Sequence, residues 1–137
     1  MRRSLVLASA VLAAFAGPAA TAHAATLTPN TILDDTTPGD GQCSLREAVS
    51  ATRSVGTPGD CGTASGSDTI VLGAATYTLT IGGADNANLT GDLDIASNPM
   101  ATLAISGAGP GATTIDAGGL GDRILEFGGP APSPSAA

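Results

Sequence analysis

Residues 42–50 read Gln42-Cys43-Ser44-Leu45-Arg46-Glu47-Ala48-Val49-Ser50, and their spacing decides how the rest of the chain is read. Ser44 is a favourable N-cap, and Glu47 three residues later completes a capping box, each residue satisfying an orphan amide of the other. Cys43 and Ala48 stand where a small hydrophobic staple forms. Leu45, Ala48, Val49 and Thr52 fall at i, i+3, i+4 and i+7, giving one narrow apolar stripe. Arg53 suits the negative end of the helix dipole, Gly56 offers a left-handed C′ position, and Pro58 blocks continuation. Arg46 is the exception. A cation in the first helical turn opposes the dipole, so a structural ion pair is expected with Asp34, Asp35 or Asp40, or with a carboxylate on an early strand.

Around this helix the period changes. Leu27 to Leu33 reads as an edge strand. From Ser67 onward apolar residues alternate with polar ones: Asp68 to Leu72, then Tyr77, Leu79 and Ile81, then Leu93 and Ile95, Leu103 and Ile105, Ile115, and Leu125 with Phe127. Turn clusters separate them at Gly82-Gly83, Ser97-Asn98-Pro99, Gly107 to Gly111 and Gly118-Gly119. Leu72 to Ile95, Ile95 to Ile115 and Ile105 to Phe127 are 23, 20 and 22 residues apart, a spacing that fits stacked solenoid coils. A small antiparallel sandwich has strands at similar intervals and is the competing fold.

The string CSLREAVSA, preceded by DDTTPGDGQ and followed by SDTIVLGAATYTLTI, resembles the CSLREA domain. The resemblance runs on through LTGDLDI, LAISGAGPGATTIDAGG and GDRILEF, from residue 27 to residue 127. It implies an N-terminal module of a secreted bacterial protein that continues into parallel β-helix repeats, and it brings no catalytic residue set. Together with the periodicity it favours a mainly β fold, an N-terminal capping helix on a short right-handed parallel β-helix (solenoid) of about two coils.

Four segments are expected. Residues 1–24 read as a signal peptide: Arg2 and Arg3 are charged, Leu5 to Ala16 is apolar but for Ser9, and Ala22-His23-Ala24 fits the small-x-small cleavage rule. Residues 25–66 are the cap with its helix, 67–127 the β-helix coils, and 128–137 a disordered tail rich in Pro, Ser and Ala. A secreted or cell-surface location follows. Membrane insertion is not expected, because an apolar run this short does not span a bilayer, which needs about 20 residues.

Composition then removes whole classes of function. Without Arg2 and Arg3 the chain keeps three arginines against twelve acids, and it has no lysine. Nucleic-acid binding needs clustered basic residues to displace counterions, so it is excluded as a partner class. His23, the sole histidine, leaves with the signal. Ser-His-Asp and Cys-His nucleophiles and histidine-ligated zinc are thereby excluded. What remains is carboxylate chemistry, oxygen-ligated metal or no chemistry, and the last is the expectation: not an enzyme.

Cys43 and Cys61 flank the helical unit, each following a copy of Thr-Pro-Gly-Asp, at 37–40 and at 57–60. In an oxidising compartment an intramolecular disulfide is the economical reading, and a reactive or intermolecular thiol is the alternative. No cofactor is implied other than calcium. Its candidate ligands are Asp34, Asp35 and Asp40 on a glycine-rich loop, and Asp92 with Asp94 flanking Leu93 on one face of a strand. The loop departs from EF-hand spacing and reads first as an acidic turn, and the strand pair reads first as two solvated aspartates. Asp116 and Asp122 are turn formers.

The expected function is therefore a secreted structural or surface module, the cap and first coils of a β-helix protein. Self-association or further coils are expected through its C-terminal edge, at Ile124 to Phe127. The alternative is a carbohydrate-binding or polysaccharide-degrading β-helix fragment, with carbohydrate as partner.

Overall fold

The structure, a computed structural model, describes residues 24–95 and 102–128. The expected signal peptide up to His23, the expected turn at Ser97-Asn98-Pro99 and the expected tail beyond Gly128 lie outside the described residues. The described chain is mainly strands with one short helix. In order the elements are β1 (Thr26–Leu27), α1 (Leu45–Arg53), β2 (Pro58–Gly59), β3 (Gly62–Thr63), β4 (Ser67–Val71), β5 (Thr76–Thr78), β6 (Leu93–Ile95), β7 (Thr102–Ser106), β8 (Thr114–Asp116) and β9 (Leu125–Phe127).

The longer-range pairings are parallel. β4 lies between β1 and β7, β5 pairs β8, and β6 pairs β9. Ile70 sits opposite Ile105, Tyr77 opposite Ile115, and Leu93 opposite Leu125, so partners are 35, 38 and 32 residues apart. These offsets replace the 20 to 23 residues expected from apolar spacing. That spacing connected strands belonging to different sheets, whereas each strand pairs with the third one after it. The sandwich alternative fails on the same pairs, since the antiparallel partners among the described residues are the two-residue arms of the β2–β3 hairpin.

The edge strand expected over Leu27 to Leu33 is much shorter. Only Thr26 and Leu27 pair with β4. Beyond Pro29 the chain turns to the helix, where the amides of Asn30 and Thr31 both donate to the Cys43 carbonyl, and Ile32 and Leu33 lie exposed.

α1 begins with the capping box: the Ser44 hydroxyl accepts from the Glu47 amide at 3.1 Å, and the Ser44 amide donates to Glu47 Oε2 at 2.9 Å. Its end differs from expectation. Ser54 is the C-cap, and Gly56, at φ +80°, gives its amide to Ala64 in the following hairpin instead of back to the helix. Leu45, Ala48 and Val49 are buried with Cys43 against Leu27, Ile70, Leu72, Tyr77, Leu79, Leu93 and Ile95. A core of aliphatic side chains at these strand positions is what the period-2 pattern buries. Burial then declines across the strand pairs. Ile70, Tyr77 and Leu93 are buried, while their partners Ile105, Ile115 and Leu125 are only partly so, and Phe127 is 73% exposed.

Candidate functional site

The densest polar construction lies where α1 meets the strands. Arg46 leaves the first helical turn on the side facing β6 and is 0% exposed. Its Nε donates to Asp34 Oδ1 at 2.6 Å and its Nη2 to Asp34 Oδ2 at 3.1 Å, a two-point pairing of guanidinium and carboxylate. Nη2 also donates to the Gly91 carbonyl at 2.8 Å and Nη1 to the Asp92 carbonyl at 3.2 Å. Asp34 in turn accepts the amides of Thr80 at 2.6 Å and Ile81 at 2.9 Å. Burial pushes the Asp34 carboxyl up, but the Arg46 hydrogen bonds and the two amides outweigh it and hold the group below its ordinary value.

The carbonyls and amides among these partners belong to the backbone between β5 and β6. β6 pairs with β9 on one side only, and its other polar groups meet the helix and the loop before β6. The Asp94 carbonyl accepts from Arg53 Nη1 at 2.9 Å, and the Asp94 amide donates to Asn88 Oδ1 at 3.1 Å. Asn88 is wholly buried, with φ +63°, a left-handed conformation that asparagine tolerates better than most residues. Its Nδ2 reaches the Arg46 carbonyl and Ser50 Oγ, both at 2.7 Å, and its amide donates to Asp94 Oδ2 at 2.9 Å. The loop that carries it closes at Gly91, where a Cβ would stand 2.6 Å from the Gly83 carbonyl and φ is +70°. Only glycine fits.

The acidic loop divides its carboxylates. Asp34 takes Arg46. Asp35 folds its own turn, accepting from the amides of Thr36 and Thr37 and the Thr37 hydroxyl, and the Thr37 bonds hold its carboxyl below the ordinary value. Asp40 accepts from the amide and side chain of Gln42. The three do not converge as a cation site.

On the other flank of the helix the Thr-Pro-Gly-Asp copies clasp one another. Asp60 of the second accepts the amides of Gly39 at 2.6 Å and Gly41 at 3.1 Å beside the first. Cys43 and Cys61 are disulfide-bonded next to this clasp, with Cα atoms 4.8 Å apart. A cavity of about 600 Å³ opens between the helix and these loops, with Glu47, Ser50, Asp60 and Leu89 on its walls. Glu47 and Asp60 are its carboxylates, and both are committed to backbone amides. Burial raises the Glu47 carboxyl above its ordinary value.

Asp92 and Asp94 share a face as alternation requires, but they are not solvated aspartates. Both are buried: the loop residue Asn88 donates its amide to Asp94 Oδ2, and Arg123 stands beside Asp92. Glu126 on β9 lies opposite Asp94, and one oxygen from each of the three carboxylates falls within 4.8 Å of the others. Burial, with repulsion from Asp122 and Asp94, raises the Asp92 carboxyl above its ordinary value.

Sequence reasoning missed Asn88, Asp60 and Glu126. The Asn-Leu-Thr-Gly run before β6 is a weak turn signal for the first, the repeated Thr-Pro-Gly-Asp points to the second, and only strand register finds the third. No helix among the described residues is long and apolar enough to cross a membrane. Comparison with family models, with curated proteins and with solved structures finds no match.

Proposed function

We propose that this chain is a secreted structural module with no catalytic activity of its own. Its cap, residues 25–66, closes one end of a short right-handed parallel β-helix whose two coils are β4–β6 and β7–β9. The observation that carries the reading is Arg46, which pairs with Asp34 while donating to the Gly91 and Asp92 carbonyls. A bare strand edge recruits other strands, and proteins blunt it by cover or charge. Here Arg46, Arg53, Asn88 and Asp34 hydrogen-bond six backbone groups of β6 and of the stretch between β5 and β6.

Three successive strands pairing in order with the next three supports stacked coils. The CSLREA resemblance points the same way, and a disulfide suits an exported protein. Carbohydrate binding draws no support from Tyr77, which is buried with its hydroxyl accepting from the Gly73 amide.

The opposite edge is the functional end. β7, β8 and β9 have no further strand beyond them among the described residues, and a groove of about 490 Å³ lies there among Leu72, Ile105, Ile115 and Leu125. On this reading it accepts a further layer of strands. Sedimentation of the exported protein tests it: concentration-dependent association through this edge, reduced by Phe127→Lys, is expected. A strictly monomeric species at high concentration, unchanged by the substitution, would overturn the open-edge reading.

A further inference from the structure

The carboxylates of Asp92, Asp94 and Glu126 are gathered at the seam between β6 and β9 without adequate compensation. Register sets Asp94 opposite Glu126, and like charges facing each other on neighbouring strands are destabilising. Asp92 lies two residues before Asp94 on the same face. Asp94 accepts the Asn88 amide through Oδ2. Asp92 Oδ2 is buried and has no hydrogen-bond partner. Its nearest cation is Arg123, whose Nε stands 3.7 Å away. The same guanidinium reaches Glu126 Oε2 at 3.3 Å and Asp122 Oδ1 at 3.5 Å, and the Arg123 side chain is 48% exposed. One half-exposed guanidinium is thus spread over three carboxylates, and the orphaned Asp92 oxygen shares it with Glu126. A buried carboxylate oxygen left this way is costly unless paired with a cation.

The geometry fits a metal ion. Two oxygens bound to one calcium at about 2.3 to 2.6 Å stand at most about 5 Å apart, so an envelope of 4.8 Å admits all three carboxylates around one ion. Magnesium, with oxygens at about 2.0 to 2.1 Å in a strict octahedron, needs a tighter set. The donors are all oxygen, which disfavours zinc and copper. We propose that Asp92, Asp94 and Glu126 bind a calcium ion, with water completing its shell and Arg123 swinging out of the site as the ion enters. The ion joins β6 to β9 and so fastens the second set of strands to the first. Arg123 is the resident counter-ion, competing with calcium for the same oxygens.

Calorimetric titration of the chelator-stripped, full-length exported protein with calcium chloride tests this. One saturable site is expected, with a Kd of about 10⁻⁴ to 10⁻³ M as in extracellular calcium modules, and a calcium-dependent rise in Tm. Magnesium at equal concentration should give less than about a tenth of the occupancy. Glu126→Gln removes the most accessible ligand, so it should keep the native far-ultraviolet dichroism while weakening calcium binding about tenfold or more. Arg123→Gln should bind more tightly than the native protein. Absence of saturable binding by the native protein at about 10 mM calcium would overturn the proposal. So would native affinity in Glu126→Gln, and equal binding of magnesium would overturn the choice of calcium.

Discussion

The guanidinium of Arg46 and the carboxylate of Asp34 meet edge to edge through two hydrogen bonds, and neither side chain touches solvent. Such a pair is costly to desolvate, and it persists because both partners are fully employed. Asp34 adds two backbone amides to the bonds it accepts from Arg46, and Arg46 adds two carbonyls. These outer bonds run to the stretch between β5 and β6, so the pair rivets the helix and acidic loop to the strands.

Removing one partner should therefore cost much more than an ordinary surface change. Arg46→Gln is expected to lose about 3–5 kcal/mol, because Asp34 and two carbonyls are stranded in the interior. Arg53→Gln, at an exposed position with two carbonyl contacts, should lose about 1 kcal/mol. Denaturant melts of the two variants decide it. Equal, small losses would mean that Arg46 carries no structural load.

Acid should loosen the same joint. The Asp34 carboxyl titrates lower in the folded state than its unfolded value of about 3.9. Its contribution is thus present above that value and lost as pH falls through the lower, folded one. Asp35 and Asp85 are shifted in the same direction, so the acid limb of the native protein is a shared one. Comparison with Asp34→Asn isolates the residue: the stability gap between native and variant should be widest at neutral pH and shrink below about pH 4. A gap that stays constant with pH would contradict this.

Asn88→Ala should destabilise by about 1–3 kcal/mol, since the Asp94 amide and the Arg46 carbonyl lose a buried partner. Asn88→Gly separates the contributions. It relieves the left-handed backbone but restores no hydrogen bond, so it should recover only the conformational part. Thermal melts that place the glycine variant at native stability would show that the side-chain bonds contribute little.

Reducing the Cys43–Cys61 bridge should cost about 3 kcal/mol in the chain-entropy description. Intact mass of the protein purified without reductant, compared before and after reduction under alkylation, verifies the bridge. Melts of the reduced form then give the loss. Two free thiols in material never exposed to reductant would refute it.

The helix could be read from residues 42–56 because its signals are local: a capping box, a stripe and a cation at the last turn all act within four residues. The strands could be read for the same reason. Their partners could not. Parallel pairing joins residues more than thirty positions apart, and apolar spacing does not say which sheet each strand enters. The burial of Asp94 was hidden likewise, because it depends on a loop whose anchoring residue, Asn88, resembles any turn asparagine. Arg46 stood out only because it violates the dipole rule locally, and the carbonyls of Gly91 and Asp92 that help hold it carry no sequence signature.

The unequal offsets between paired strands have a practical consequence. Sixteen residues separate Tyr77 from Leu93, but only ten separate their partners Ile115 and Leu125. The surplus falls in the 82–91 loop, the stretch that carries Asn88 and closes on Gly91. The second set of strands has no counterpart to this latch. A portable version of the proposed cap, grafted onto a foreign strand stack, therefore cannot be cut at residue 66. It has to carry the latch with it, whereas the leaner spacing of β7 to β9 is the one to copy when lengthening the stack.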